Sequence, residues 1–192
     1  MTKKLFFLFQ ILFIYLFSVN TSLADLQKDL INKLTSTRTL SFDFTQKISD
    51  KEEVGICFIK YPLLMKCNYK NLKQKTIISN GKSVAIIKKK YKKVYRYPVK
   101  STPLFIILNK QEIINLIRKH PPTEISANLI KFEFIDKKKN KLKILFDKNS
   151  LEFKGWETKD AYSNNVSFII NHLKINNQIV DDFFKIPNEE DL

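Results

Sequence analysis

The chain opens on an almost unbroken apolar run, Leu5 to Val19, behind Lys3 and Lys4, and then becomes patterned. From Asp25 to Thr37, Leu26, Leu30 and Leu34 recur at every fourth position with Ile31 beside them. That spacing makes one apolar stripe on a helix. The period then drops to two. In RTLSFDFTQKIS, Leu40, Phe42 and Phe44 alternate with Ser41, Asp43 and Thr45, which predicts a strand with one buried face. EVGICFIKY and LLMKCNYK predict two more strands around Pro62. KQKTIIS and KSVAIIKK are joined by Asn80-Gly81, a strong hairpin signal, and KKVYRYPV is a further short strand. Helical spacing returns in STPLFIILNKQEIINLIRKH. Ser101 or Thr102 is available as a cap, Pro103 suits the first turn, Leu104, Ile107 and Leu108 share a face, and His120-Pro121-Pro122 ends the segment. Alternation resumes in LIKFEFIDKK, KLKILFDK, LEFKGWET and NVSFIINHLKIN, with turns at Lys139-Asn140, Lys148-Asn149-Ser150 and Ser163-Asn164-Asn165.

The order is therefore a helix, about six strands, a central helical segment and four or five more strands. Closely spaced strands joined by hairpin turns predict one antiparallel sheet, in a mainly β fold with helices (α+β). Strand twist curls a long sheet of this kind toward a barrel. The two helical segments carry apolar faces that need cover, and the mouth or concave side of the curled sheet is the natural place for them.

The N-terminal run changes the picture of where the chain works. A basic start, an apolar stretch and a small-x-small ending at Ser22 and Ala24 predict a secretory signal peptide over 1–24, cleaved before Asp25. The stretch is short for a membrane span, which needs roughly 20 apolar residues. No Cys follows it, so it is not a lipoprotein signal. Cleavage takes the 192-residue chain to 168 residues, and losing Lys3 and Lys4 takes the formal charge from +15 to +13. Residues 25–192 are expected to form one domain. Such a charge points to an anionic partner. Lys, Asn, Ile and Phe are also residues with A/T-rich codons, so base composition offers a second account of the lysines. Export argues against nucleic acid.

Candidate chemistry is sparse. His120 precedes two prolines, and His172 lies in a strand with no Cys or acidic residue at ligand spacing. The sequence lacks GxSxG, P-loop, HExxH and CxxC motifs. We expect no enzyme activity, no metal and no cofactor, although two acids that meet only in the fold would suffice for glycoside hydrolysis. The apolar load is more telling. Eleven of the sixteen Phe lie beyond residue 24, and several strands are apolar on both faces. A sheet that curls without filling its interior leaves an apolar cavity.

The mature chain resembles the periplasmic outer-membrane lipoprotein carrier protein (LolA) family along nearly its whole length. The resemblance is carried by the leading helix, FDFTQKISD, GICFIKYPLLMKCNY, IISNGKSVAII, STPLFIIL and WETKDAYSNNVSFIINHLKINNQIVDDFFKIP, which ends in the family's Phe-x-x-Pro. It implies an incomplete antiparallel β-barrel, a curled half-barrel, with the N-terminal and central helices as a lid over an apolar cavity. It further implies a carrier in the periplasm of a Gram-negative bacterium, with acylated lipoproteins as cargo. The carrier takes them from an inner-membrane ATP-driven lipoprotein-releasing complex and hands them to an outer-membrane lipoprotein receptor. A carrier of another lipid or glycolipid is the alternative, and an exported β-rich hydrolase a more distant one. A monomer is expected. One position departs from the family, which commonly has an Arg before the turn proline that hydrogen-bonds to the lid. Here Tyr61 stands there, with Lys60 one residue earlier and hence on the opposite face. The Tyr61 hydroxyl is expected to donate to a lid carbonyl in its place.

If the hairpin folds about Pro62, residues whose numbers sum to about 124 face one another. Cys57 then meets Cys67, and Ile59 meets Met65. Tyr61 and Tyr69 share their face, which is the one the family turns to its lid. Phe58, Lys60, Lys66 and Asn68 point outward. The expected lipid-cavity residues are Leu30, Leu34, Phe44, Ile59, Tyr61, Met65, Tyr69, Leu104, Ile107 and Leu108. Opposed positions in an oxidising compartment also predict a Cys57–Cys67 disulfide, the alternative being two packed thiols.

Overall fold

A computed structural model describes residues 23–72, 74–135, 141–160 and 163–192. The expected signal segment falls almost wholly outside these residues, as does the Lys139-Asn140 turn. A helix over residues 23–36 (α1) leads into β1 (Thr39–Ile48), β2 (Lys51–Lys60), β3 (Leu64–Tyr69), β4 (Lys75–Asn80), β5 (Ser83–Lys88) and β6 (Lys93–Pro98). Two helices follow, α2 (Leu104–Leu108) and α3 (Lys110–Lys119). The chain then adds β7 (Glu124–Ile125), β8 (Leu129–Ile135), β9 (Lys141–Asp147), β10 (Phe153–Lys159) and β11 (Asn165–Ile175).

The eleven strands among the described residues form one sheet in the order β6-β5-β4-β3-β2-β1-β11-β10-β9-β8-β7. Every pairing is antiparallel. The first long strand pairs with the last, so β1 and β11 form the middle of the sheet, while β6 and β7 are free edges. The sheet is an open half-barrel rather than a closed one. Irregular registers at Ser41/Asp43 and Phe153/Gly155 mark bulges, which sharpen the local twist and bend. Gly155 is required at its bulge: its φ is +140°, and an added Cβ would lie 2.0 Å from the Phe168 carbonyl oxygen.

The central segment is two helices, not the single one its apolar spacing predicts. Asn109 is extended (φ −105°, ψ 90°) between them. The buried positions Ile107, Leu108, Ile113, Ile114 and Ile117 explain the break. At about 100° per residue they would spread over more than half the circumference of one helix, and a change of axis lets both halves face the sheet. Neither Ser101 nor Thr102 caps α2, because their hydroxyls donate back to the carbonyls of Pro98 and Val99. The two-residue strand β7 has too short a pattern to be read from sequence.

The main core lies between the concave face of the sheet and the three helices. One cluster joins Leu30 and Leu34 of α1, Ile107 and Leu108 of α2, and Ile113 and Ile117 of α3 to the inward residues of β1–β3 and β8–β11. The convex face carries a separate cover. Beyond β11 the chain passes back over β2–β6. Lys60 Nζ donates to the Ile179 carbonyl and pairs with Asp181 at 2.6 Å, Phe58 packs edge-on to Phe183, and Ile186 and Leu192 sit on Ile78, Ala85 and Ile87. The Val94 amide donates to Glu189, which partly caps the free edge of β6.

Candidate functional site

The floor of the concave face is built by strands β10, β11, β1 and β3. Inward residues from these strands set an aromatic row: Phe153 stacks on Trp156 at 5.9 Å, Trp156 on Phe168 at 4.0 Å, and Phe168 on Phe44 at 4.6 Å. Phe44 then meets Tyr69 edge-on at 4.8 Å. Gly55 makes this row possible on β2. A Cβ there would lie 2.6 Å from the Phe44 ring, so the ring crosses β2 only where the side chain is missing. Tyr69 closes the row with its hydroxyl donating to Gln46 Oε1 at 2.6 Å. Burial, and then the nearby Glu53 carboxylate, push its phenol above the ordinary value.

The expected cavity residues converge on this floor. Leu30, Leu34, Phe44, Ile59, Met65, Tyr69, Ile107 and Leu108 are buried in the one cluster, and Tyr61 and Leu104 pack against its margin. The hairpin register has Cys57 opposite Cys67, Ile59 opposite Met65 and Gly55 opposite Tyr69, as reading about Pro62 predicts. The sulfurs of Cys57 and Cys67 are bonded, with Cα atoms 4.0 Å apart. Pattern reading missed the other half of the same surface: Phe132 and Ile144, Trp156 and Phe168, and Ile113 and Ile117 of α3. The alternation of Ile130, Phe132 and Phe134 marks an inward face on β8, yet nothing local says that this face meets the one on β2–β3.

The lid is held differently from the expectation at Tyr61. Its hydroxyl is buried without a hydrogen-bond partner among the described residues, so it does not donate to a lid carbonyl. Burial pushes its phenol well above the ordinary value. The register explains the failure. Tyr61 directly follows β2 with its side chain packed against the apolar cluster, and the nearby polar ties run past it along the main chain. The Leu63 amide donates to the Leu108 carbonyl at 2.8 Å, fastening the hairpin turn to the end of α2. The helices are also tied to each other. Lys110 Nζ donates to the carbonyls of Thr35 (3.0 Å) and Thr37 (2.8 Å), a cation at the C-terminal end of α1. Gln27 Nε2 donates to the carbonyls of Ile117 and His120. Burial and the nearby Arg38 lower the Lys110 pKa.

An apolar cleft of about 560 Å³ lies where the lid meets β8–β10. Phe105, Ile106, Leu116, Phe134, Ile135 and Leu142 line it. It runs along the line where α2 and α3 meet the sheet.

The polar constellations are of another kind. His172 has no acid at ligand spacing in sequence, but the fold brings a distant one to it: Nδ1 lies 2.9 Å from Asp43 Oδ2. The pair sits on the solvent side of β1 and β11, with side chains 82% and 46% exposed, away from any cleft described here. Among the described residues no group of three or more His, Cys, Asp or Glu is placed to hold a metal.

Comparison with known proteins agrees with this geometry. No curated protein matches the chain. Among solved structures, an uncharacterised conserved protein from Thermus thermophilus aligns with a TM-score of 0.52 at 9% identity, over 85% of this chain and 94% of that one. A LolA superfamily protein from Nitrosomonas europaea aligns at 0.43 and 8% identity, over 83% and 97%. A putative outer membrane lipoprotein-sorting protein domain from Vibrio parahaemolyticus aligns at 0.43 and 10% identity, over 81% and 94%. The sequence model of one family matches residues 35–187, from the end of α1 to the segment over the convex face. By that match, the chain belongs to the family of the outer membrane lipoprotein carrier protein LolA.

Proposed function

We propose that this protein is a monomeric periplasmic carrier of a Gram-negative bacterium. It binds the acyl chains of lipoproteins released from the inner membrane and delivers them to the outer membrane. Its partners are acylated lipoproteins, an ATP-driven releasing complex and an outer-membrane receptor, and no covalent chemistry is involved. The observation that carries the reading is the single apolar cluster shared by an open sheet and three helices, with one wall formed by α2 and α3.

Acyl chains in water cost about 0.8 kcal/mol per methylene, so a soluble shuttle must enclose them. Cargo takes the place of the lid on the aromatic floor. Burying a side chain such as Ile107, Leu108, Ile113 or Ile117 is worth about 1.5–3 kcal/mol. Lifting them offsets part of the gain from the acyl chains. Net affinity is the difference, and a moderate difference permits release at the far membrane. In this reading Leu30, Leu34, Leu104, Ile107 and Leu108 line the cavity from the lid. Phe44, Ile59, Tyr61, Met65 and Tyr69 line it from the sheet.

The test is recovery of cargo. The chain is exported with its own N-terminal segment, purified from the periplasm and analysed by native mass spectrometry. It is also incubated with energised inner-membrane vesicles. The expected result is an acylated polypeptide bound in the first assay and released into the soluble fraction in the second. No acylated polypeptide in either overturns the assignment. Recovery of a lipid without polypeptide transfers the cavity to lipid or glycolipid cargo.

A further inference from the structure

The charge of this chain is unevenly placed. Between Glu53 and Glu112 there are 58 residues with no Asp or Glu and with fourteen Lys or Arg. Base composition does not account for this, because Asp and Glu codons are themselves A-rich and a biased genome has no reason to exclude them. The segment supplies most of β2 and all of β3–β6.

The register places its most exposed parts together. Lys70 N bonds to Val54 O, and Lys75 pairs with Lys88. The β3–β4 connection and the β5–β6 turn therefore lie side by side at one end of the sheet. Each presents an apolar tip among lysines: Leu72, 92% exposed, follows exposed Lys70, and Tyr91, 52% exposed, stands between exposed Lys90 and Lys92. At the opposite end the turns 61–63, 81–82 and 148–152 leave no large apolar side chain in the exposed class, and exposed Ile125 and Val180 near them have no flanking lysine. Beside the two connections, which contribute Gln74 and Lys89, lies a cleft of about 490 Å³ lined also by Lys66, Asn68, Tyr69, Lys75 and Thr76. Lys75 is neutralised by Glu53. Lys66 and Lys89 share the cleft, where Lys66 Nζ donates to the Phe183 carbonyl at 3.3 Å and lies over the Phe183 ring, and burial followed by repulsion from the Lys89 charge lowers the Lys66 pKa. An anion in the cleft relieves the repulsion.

We propose that this end of the half-barrel docks on an anionic phospholipid bilayer, with Leu72 and Tyr91 entering the headgroup boundary and a phosphate-bearing headgroup held between Lys66 and Lys89. Exposed tyrosine and lysine on adjacent tips suit the membrane interface, where the ring sits at headgroup level and the ammonium reaches the phosphates. An acidic protein patch would match the lysines but would leave an exposed leucine without a reason. The apolar cleft beside the lid reaches Ile135 and Lys141, which pair at this same end of the sheet, so docking brings one end of that cleft toward the bilayer.

The surface is independent of the cargo reading. Acyl binding in solution reports on the cavity and vesicle binding reports on the loops, so either can fail alone. The test is co-sedimentation of the mature chain with vesicles of phosphatidylglycerol and phosphatidylcholine in equal parts, against pure phosphatidylcholine. Binding to the anionic vesicles alone is expected, weakening as salt is raised. Each lysine near the surface is worth about fivefold, so K89E/K90E/K92E is expected to weaken binding roughly a hundredfold. Leu72→Ser is expected to weaken it about tenfold. Both change exposed side chains, and unchanged thermal unfolding checks the fold. K82E/K148E at the opposite end makes a comparable charge change and is expected to leave at least half the binding free energy in place. Equal binding to neutral vesicles, full binding by the triple variant, or equal loss from the opposite-end variant overturns the proposal.

Discussion

Replacing Tyr61 by Phe tests the most unusual feature of the lid. The hydroxyl is buried without a partner, while the ring packs at the margin of the main cluster and lies 5.8 Å from Lys110 Nζ. A cavity of about 10 Å³ borders Tyr61. That is about one water-sized probe, and a buried water also needs two to four polar partners. Thr37, which also lines this cavity, turns its hydroxyl hydrogen to the Lys33 carbonyl. The hydroxyl therefore bears most of its desolvation cost, about 1–3 kcal/mol. Phe keeps the ring and its face toward Lys110 and removes only the costly atom. We expect Tyr61→Phe to stabilise the protein by about 1 kcal/mol, which for a domain of this size raises Tm by about 2–4 °C. Urea unfolding at constant m-value is the assay. If lid opening releases the hydroxyl to water, the variant also favours the closed form, and acyl-ligand affinity falls by about fivefold. Destabilisation by about 1 kcal/mol or more would refute the reasoning, since it would mean that the hydroxyl is paired.

Other substitutions separate lid from scaffold. Leu108→Ala removes a fully buried lid side chain, costing about 2–5 kcal/mol of closed-state stability; acyl-ligand titration should show tighter binding, whereas Ile144→Ala in the floor should lower stability and affinity together. Gly155→Ala forces a Cβ to within 2.0 Å of a backbone oxygen at φ +140°, and a loss of about 3 kcal/mol or more is expected by urea unfolding. Burial raises the phenol pKa of Tyr61, and burial with Glu53 raises that of Tyr69, both from an ordinary value of 10.0. The unfolded chain then releases these protons first, so stability is full below about pH 10 and declines above it; Tm measured against pH should fall less steeply in a Tyr61→Phe, Tyr69→Phe double variant.

The sequence by itself determined what rests on neighbours in the chain. Alternation places Leu40, Phe42 and Phe44 on the buried face of β1, because successive side chains of a strand point to opposite faces. Asn80-Gly81 turns β4 into β5, and the turn about Pro62 determines the register that opposes Cys57 to Cys67. The ten expected cavity residues follow from these local rules and from family likeness, and they converge on one cluster. Only the tertiary structure decided what joins segments far apart in sequence. The pairing of β1 with β11 brings Phe44 against Phe168 and so completes the aromatic row. Alternation is much the same in every strand and does not specify a partner. The break at Asn109 answers to the shape of the concave face, not to helix propensity, which runs on through the segment. Asp43 meets His172 across 129 positions. Tyr61 shows the limit most plainly. A phenol at a strand end is locally free to donate, and whether an acceptor stands before it depends on how α2, α3 and the hairpin turn come together.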